Sequence, residues 1–306
     1  MLMQAEELNF GMVAKSTSDK NFVDAWKGCQ EQALKDGNQC VLLGDEGTAS
    51  PHIQRYAIET ALASGTFSAL AISVTNSPFI AQSIAQADIP ILTFDSPFGP
   101  RAKQLQAGYI GTDNRGFGRD LAMLAQWLRP EGGSLCIISV EHDPNLEERV
   151  QAVRQQLAGS ASLMPEQSLR GEGGWHELER CPRLPNADNE QAMTQLRGIL
   201  SSTHPDMVIS VGHWPVEIPD QFLRTVAPFR DALTSEKTQL VVGVGFISEA
   251  YQRLISDKLV HGMVSIDFVE MGRMTYHRMK DAAAGRPVPD NTFTPNRFIP
   301  PDLKAK

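Results

Sequence analysis

The sequence predicts an α/β protein of two lobes, each built on a doubly wound parallel sheet. Three observations support this. Short apolar strands alternate with helices through residues 8–112, the same alternation restarts after residue 113, and the 306 residues are about twice a common domain length. Strands that are apolar on both faces are typical of parallel sheets covered by helices.

The first half shows this alternation most clearly. Strands are expected at residues 8–14, 39–43, 69–74, 89–94 and 107–111. A helix is expected at residues 21–35, because Phe22, Trp26, Cys29 and Ala33 follow at steps of three or four. Gly37 ends this helix, and a second helix is expected at residues 51–64.

The second half repeats the pattern. Helices are expected near residues 116–128, 145–157, 190–202, 220–227, 248–255 and 268–284, and strands at 134–140, 207–212, 240–245 and 261–266. Residues 171–188 are rich in Gly, Pro and charged side chains and are expected to be a connection.

The strand pattern also predicts where the lobes divide and where a ligand binds. The first lobe is expected to comprise residues 1–112 and 267–294, and the second residues 113–266 and 295–306, with three chain crossings as a hinge. Ligands of open parallel sheets lie beyond the carboxyl ends of the strands, where the strand order reverses. Two such lobes are expected to close on a solute, so the candidate contacts are residues that directly follow strands.

Charge and hydropathy exclude several classes of protein. The formal charge is −8 without a basic cluster, so no nucleic-acid partner is expected. No apolar run approaches the length of roughly 18–20 residues that a membrane span needs. The start shows no signal peptide, so the sequence indicates either a cytoplasmic protein or the mature form of an exported one.

The four cysteines do not decide between these compartments. Cys29, Cys40, Cys136 and Cys181 lack the spacing of a zinc site, so no metal is expected. Because Cys29 falls on a predicted helix and Cys136 in a predicted strand, buried free thiols are favoured. A disulfide between any two of them stays open.

Enzyme motifs are missing from the chain. It contains no phosphate-binding loop, no dinucleotide fingerprint and no nucleophile elbow, so no cofactor is expected. His142 and Asp143 follow a predicted strand and could do acid–base chemistry in a hydrolase or lyase. The sequence therefore favours a protein without enzymatic activity over a hydrolase or lyase.

Several segments, in order, resemble the type I periplasmic binding proteins that bind ribose and galactose. They are KNFVDAWKGCQEQALKDG (residues 20–37), DIPILTFDSPF (88–98), YIGTDNRGFGRDLAMLAQWL (109–128), NLEERVQAVRQQL (145–157), THPDMVIS (203–210) and LVVGVG (240–245). The resemblance spans nearly the whole chain. It implies the type I two-lobe fold, with a three-strand hinge between the lobes.

The resemblance assigns ligand contacts in the first lobe. Asn21 and Phe22 stand where the family has polar and aromatic contacts, with core packing as the alternative for Phe22. Asp95 matches the family's hydroxyl-binding Asp, although it could instead be a cap or turn residue. Ser96 stands where the family often has Arg. Asp267 is expected to supply an acceptor, because Ile266 replaces the family's Gln.

Three further contacts are implied in the second lobe. Arg149 matches the family's forked Arg, with a surface ion pair to Glu147 or Glu148 as the alternative. His213 and Trp214 replace the family's Asn-Asp pair, and Trp214 is expected to be a second stacking platform. Gly245 replaces a further sugar-binding Asp, which puts the usual sugar pose in doubt.

The resemblance implies a solute receptor that closes on a small polar, sugar-like ligand and delivers it to the permease of an ABC transporter. The alternative is a sensing domain that feeds a membrane histidine kinase or a transcriptional regulator. A monomer in the periplasm is expected, with its signal peptide already removed.

Overall fold

The computed structural model describes residues 7–47, 49–140, 143–164, 166–184 and 189–299. The first 112 residues contain β1 (Asn9–Val13), α1 (Lys20–Lys35), β2 (Gln39–Leu43), α2 (Pro51–Ser64), β3 (Ala69–Ile72), α3 (Ser77–Ile84), β4 (Ile91–Phe94) and β5 (Tyr109–Thr112).

The remaining elements follow in chain order. Residues 113–266 contain α4 (Asn114–Leu128), β6 (Gly133–Ile138), α5 (Pro144–Ala158), β7 (Trp175–Glu177), α6 (Asn189–Gly198), β8 (Met207–Ser210), α7 (Pro219–Val226), α8 (Arg230–Thr234), β9 (Gln239–Val244), α9 (Glu249–Ser256) and β10 (Gly262–Ile266). The last elements are α10 (Phe268–Ala283), β11 (Asn291–Thr294) and β12 (Asn296–Ile299).

The described residues form two compact units. Those within 1–112 and 267–295 make the first unit, and those within 113–266 and 296–306 make the second. The chain therefore passes from one unit to the other three times, after Thr112, after Ile266 and after Pro295.

The sheet of the first unit is parallel throughout. Its order is β11-β5-β4-β3-β1-β2, so the winding direction changes at β1, which lies between β2 and β3. On one face, a core of apolar side chains that includes Ile58, Leu70 and Ile80 packs under α2 and α3.

The sheet of the second unit repeats this plan. Its order is β12-β10-β9-β8-β6-β7, and the winding direction changes at β6. The described pairings are parallel except at the edge, where β12 runs antiparallel to β10. The predicted fold class, two doubly wound α/β lobes, is confirmed.

Short polar side chains set the helix starts. At each of these positions a side-chain oxygen accepts a hydrogen bond from a backbone N–H in the first turn, which satisfies a group the helix leaves unpaired. They are Asp19, Ser50, Asn76, Asp113, Asp143, Ser248 and Asp267.

The expectation of free buried thiols is wrong. Cys29 on α1 is bonded to Cys40 on β2, and Cys136 on β6 is bonded to Cys181, so each unit has a disulfide. Cys29, Cys40 and Cys136 lie in the elements predicted for them, but the sequence does not show which thiols become neighbours in the fold.

Residues 171–184 are more structured than a plain connection. They contain β7, whose Trp175 is buried and whose Glu177 forms a bidentate ion pair with Arg154 of α5 at 2.7 and 2.9 Å. Because both partners are removed from water, loss of either one would leave the other as an unpaired buried charge.

No described helix is both long and apolar enough to cross a membrane.

Candidate ligand-binding site

Asp95 directly follows β4 and has an unusual backbone conformation. Its φ is +60°, in the left-handed region that few residues other than glycine adopt, although Asp and Asn tolerate it best. The Asp95 N–H donates to the carbonyl of Ile110 at 3.0 Å, and the Tyr109 hydroxyl donates to the Asp95 carbonyl at 3.0 Å. These contacts with β5 fix the turn that presents the carboxylate.

Three donors converge on one oxygen of this carboxylate. The Ser73 hydroxyl donates to Oδ2 at 2.9 Å and the Ser96 hydroxyl donates to it at 3.2 Å. The ammonium of Lys15 lies 3.2 Å from the same oxygen and donates to the Ser96 hydroxyl at 2.5 Å. We refer to Lys15, Ser73, Asp95 and Ser96 as the first half-site.

These contacts keep Asp95 ionised. Burial alone raises the pKa of the carboxyl, but the charge of Lys15 and the hydrogen bonds from Ser73, Lys15 and Ser96 outweigh it. The pKa of Asp95 therefore lies below its ordinary value. The site thus contains a carboxylate, and its negative charge is compensated by Lys15.

The strand order explains why these residues meet. Lys15 follows β1, Ser73 follows β3 and Asp95 follows β4, and these strands are neighbours where the winding direction changes. The buried amide of Gln54 on α2 joins two of the strand ends. It donates to the carbonyls of Ala14 and Ser73 at 3.3 and 2.7 Å.

The other predicted contacts of the first unit have local structural roles. Phe22 is 6 % exposed and makes edge-to-face contacts with Phe94 and Phe268, as the core-packing alternative requires. Asp267 caps α10 by accepting from the Glu270 N–H at 3.0 Å. Asn21 lies in the first turn of α1, and its buried Oδ1 has no hydrogen-bond partner among the described residues. The ligand contacts of all three stay predictions.

Arg149 lies on α5, and its guanidinium is held by groups of two other segments. Its Nε donates to Asn114 Oδ1 at 2.8 Å and its Nη1 donates to the Val211 carbonyl, just after β8, at 3.0 Å. The guanidinium also stacks over the ring of Phe117 at 4.4 Å. These contacts hold the guanidinium beside the residue that directly follows β8, and its predicted contact with a ligand stays a prediction.

His213 and Trp214 follow the same strand. Trp214 is buried, and its indole covers Gly212 so closely that a Cβ atom there would lie 2.4 Å from the ring. His213 stacks on Trp214, and its Nε2 lies 3.4 Å from Glu217 Oε2. The hydrogen bond from His213 lowers the pKa of Glu217, and it outweighs the burial that raises it. We refer to Arg149, His213 and Trp214 as the second half-site.

Sequence reasoning missed Lys15, Ser73 and Gln54. Lys15 and Ser73 satisfy the rule that ligand contacts directly follow strands, so that rule could have identified them. No signal in the sequence marks Gln54, because its role arises from packing of α2 on the sheet. Of the alternative acid–base pair, Asp143 caps α5 and His142 lies outside the described residues.

Within the described ranges, no three His, Cys, Asp or Glu side chains are grouped as metal ligands. Each unit has one cluster of polar groups at the carboxyl ends of its strands. Two doubly wound units of this kind, joined by three crossings, define the class of two-lobed solute receptors.

The chain belongs to the family described as periplasmic binding protein domain, whose model matches residues 10–287. This confirms the resemblance seen in the sequence. No curated protein sequence is detectably similar to the chain.

Solved structures share the fold at low sequence identity. A glucose-galactose binding protein, GanP, from Geobacillus stearothermophilus is 17 % identical with a TM-score of 0.78, over 98 % of this chain and all (100 %) of that one. An ABC transporter solute-binding protein from Burkholderia graminis, in complex with D-arabinose, is 18 % identical with a TM-score of 0.78, over 98 % of this chain and 97 % of its own. One from Actinobacillus succinogenes, with bound D-allose, is 14 % identical with a TM-score of 0.79, over 97 % of this chain and 98 % of its own.

Proposed function

We propose that this protein is a receptor that binds a sugar or a closely related polar molecule and delivers it to an ABC transporter. The family and the similarity to solute-binding proteins that bind D-arabinose and D-allose support this proposal. In this proposal the ligand is released unchanged, and the polar groups bind it without catalysing a reaction.

The ionised carboxylate of Asp95 carries the proposal. The three contacts described above all involve Oδ2, while Oδ1 has no hydrogen-bond partner among the described residues, and the side chain is 21 % exposed. A carboxylate oxygen accepts hydrogen bonds from hydroxyl groups, and charge assistance strengthens them. Oδ1 is therefore suited to a sugar hydroxyl.

The second half-site also contains a group that is suited to a sugar. The guanidinium of Arg149 is planar and carries only donors, which match hydroxyl and ring oxygens. The stacking platform expected at Trp214 stays a prediction, because its indole is buried and stacks on the ring of His213.

The disulfides favour a location outside the cytoplasm. Cytoplasmic thiols are normally kept reduced, whereas the periplasm allows disulfides to persist. One disulfide in each unit is therefore consistent with a periplasmic protein, in line with its family. A permease in the membrane is the proposed partner.

A thermal-shift titration with D-arabinose, D-allose, D-galactose and D-glucose tests this function. We expect at least one sugar to raise the melting temperature with increasing concentration, because a ligand that binds only the folded state stabilises it. Asp95→Asn keeps a residue that tolerates the left-handed backbone but removes the charge. We expect it to weaken binding by about 10- to 100-fold, the effect of one lost charge-assisted hydrogen bond.

Asp290→Asn is the matched control, since the Asp290 side chain is 85 % exposed, and it should leave the titration unchanged. NMR of the recovered sugar should show the starting compound. Failure of a broad sugar panel to shift the melting temperature, or chemical conversion of the sugar, would contradict the proposed function. Full binding by Asp95→Asn would contradict the assigned site.

A further inference from the structure

Arg183 lies at the end of the second sheet where its winding direction changes. It forms a parallel bridge with Ile138, the last residue of β6. Its N–H donates to the Ile137 carbonyl at 2.8 Å, and its carbonyl accepts from the Ser139 N–H at 2.9 Å. The disulfide between Cys136 and Cys181, two residues away, ties this segment to the same strand.

Arg183 and Arg149 therefore flank one strand end. Arg149 donates to the carbonyl of Val211, and the Val211 N–H donates in turn to the Ile138 carbonyl at 3.0 Å. Ile138 is thus bonded on its β8 side to the segment that Arg149 holds, and it is bridged on the other side to Arg183. Ligands of doubly wound sheets bind at this position.

The guanidinium of Arg183 lacks compensation within the described part of the chain. Its Nε is buried without a hydrogen-bond partner, and the described residues provide no ion pair to it. A buried donor without a partner is rare and unfavourable, and it commonly marks the place of a water or an ion. By contrast, the buried guanidinium of Arg154 is fully paired with Glu177.

We infer that Arg183 binds an anionic group of the ligand, a carboxylate or a phosphate, so that the receptor prefers acidic sugars over neutral ones. This inference rests on the proposed function. A guanidinium matches the geometry of both anions, because two of its N–H groups can bond two oxygens at once. A bound anion would accept a hydrogen bond from the unpaired Nε–H of Arg183, and it would also neutralise the half-buried positive charge of the guanidinium.

Matched pairs of neutral and acidic sugars test the inference. The probes are D-galactose with D-galacturonate, and D-glucose with D-glucuronate and glucose 6-phosphate, titrated by calorimetry against the whole protein. We expect an acidic member to bind more tightly than its neutral partner. Arg183→Gln should reduce affinity for the acid by about 10- to 100-fold and change affinity for the neutral sugar by less than about threefold.

Two further variants control the result. Arg183→Lys keeps the charge without the planar pair of donors, so it should recover part of the lost affinity. Arg253→Gln removes an arginine whose side chain is 80 % exposed, and it should change neither titration. Melting temperatures of the unliganded variants show whether each one folds.

The outcomes separate the inference from the proposed function. Binding of galacturonate or glucuronate that depends on Arg183 supports a carboxylate site, and dependence seen with glucose 6-phosphate alone supports a phosphate site. Binding of neutral sugars alone, or equal losses for both members of a pair in Arg183→Gln, overturns the inference and leaves the sugar receptor standing. Absence of binding by every sugar overturns both.

Discussion

Asp95 combines three properties that rarely coincide in one residue. Its backbone is in the left-handed region, its pKa is lowered despite burial, and its three described contacts all involve Oδ2. A left-handed conformation costs on the order of 1 kcal/mol for most residues, so surrounding contacts must maintain it. The bond from Tyr109 to the Asp95 carbonyl supplies one of them. Oδ1 is left as the acceptor for a ligand.

Residue by residue, the sequence identified charged groups better than their surroundings. Asp95 and Arg149 were predicted as ligand contacts: Asp95 follows β4, and the guanidinium of Arg149 on α5 contacts the Val211 carbonyl after β8. Their contacts with a ligand stay predictions. Lys15 and Ser73 were not, because a single Lys or Ser after a strand is common and only the shared contact with Asp95 distinguishes them. Phe22 shows a second limit, because the sequence cannot distinguish an aromatic residue that contacts a ligand from one that packs in the core.

His261 should make the stability of the protein fall in mild acid. The Leu240 N–H donates to its Nδ1 at 3.0 Å, so that nitrogen carries no proton, and Nε2 lies 3.1 Å from the Leu233 carbonyl. Burial lowers the pKa of His261 to about 4, and the hydrogen bond to Leu233 opposes this. As the pH falls below the ordinary value near 6.5, the unfolded chain takes up a proton that the folded protein refuses.

The free energy of unfolding should therefore decrease by roughly 2 kcal/mol from this residue between pH 7 and pH 5. The decrease ends only as the pH reaches the folded pKa. Urea denaturation of the protein and of His261→Gln at both pH values measures it, because the variant lacks the titrating group. An unchanged difference between the two proteins across this range would show that His261 does not carry the effect.

At the scale of elements, two glycines allow α1 and α10 to pack closely in the first unit. A Cβ atom at Gly28 would lie 1.9 Å from the Val269 carbonyl oxygen, and one at Gly272 would lie 1.6 Å from the Ala25 carbonyl oxygen. Neither backbone can move without displacing its helix. This contact brings α10, which belongs to the last part of the chain, against the first helix.

Gly272→Ala should lower the free energy of unfolding by about 2–4 kcal/mol, as expected for overpacking against backbone. Gly198→Ala is the matched control, because a Cβ atom at this helical position meets nothing within 4 Å. There alanine should stabilise the protein by up to about 1 kcal/mol. Guanidinium denaturation of the two variants gives the comparison, and equal effects would exclude the steric explanation.

The elements that the sequence predicted well are those whose own side chains define them. Helix α2 has the predicted limits, since Ser50 caps it and Gly65 in the left-handed region ends it. The edge strands β7, β11 and β12 were missed, because they have only three or four residues each and gain their partners from distant parts of the chain. The two disulfides were not assigned, because the sequence does not show which of the four thiols become neighbours in the fold.

At the scale of the whole molecule, each unit is built from segments that are far apart in the sequence. The first unit takes α10 and β11 from the end of the chain, and the second takes β12. Parallel pairing of β11 with β5 and antiparallel pairing of β12 with β10 complete the two sheets. Joining segments that are far apart in the sequence costs chain entropy. Cross-links within each unit reduce this cost and therefore contribute to stability.

The two disulfides should therefore contribute unequally to stability. Cys29 and Cys40 are separated by 11 residues, whereas Cys136 and Cys181 are separated by 45. Because a longer loop loses more freedom when its ends are joined, replacing the first pair by alanine should cost about 3 kcal/mol and replacing the second about 4 kcal/mol. Guanidinium denaturation of the two double-alanine variants under oxidising conditions measures the difference.

The second disulfide should also affect ligand binding, since it ties the segment of Arg183 to β6. The Cys136→Ala/Cys181→Ala variant should bind the ligand more weakly at a temperature where it is still folded, because Arg183 then loses part of its fixed position. The Cys29→Ala/Cys40→Ala variant should lose stability alone, because the first half-site is held by strand ends and Gln54 rather than by that bond. Equal binding by both variants would restrict the role of the second disulfide to stability.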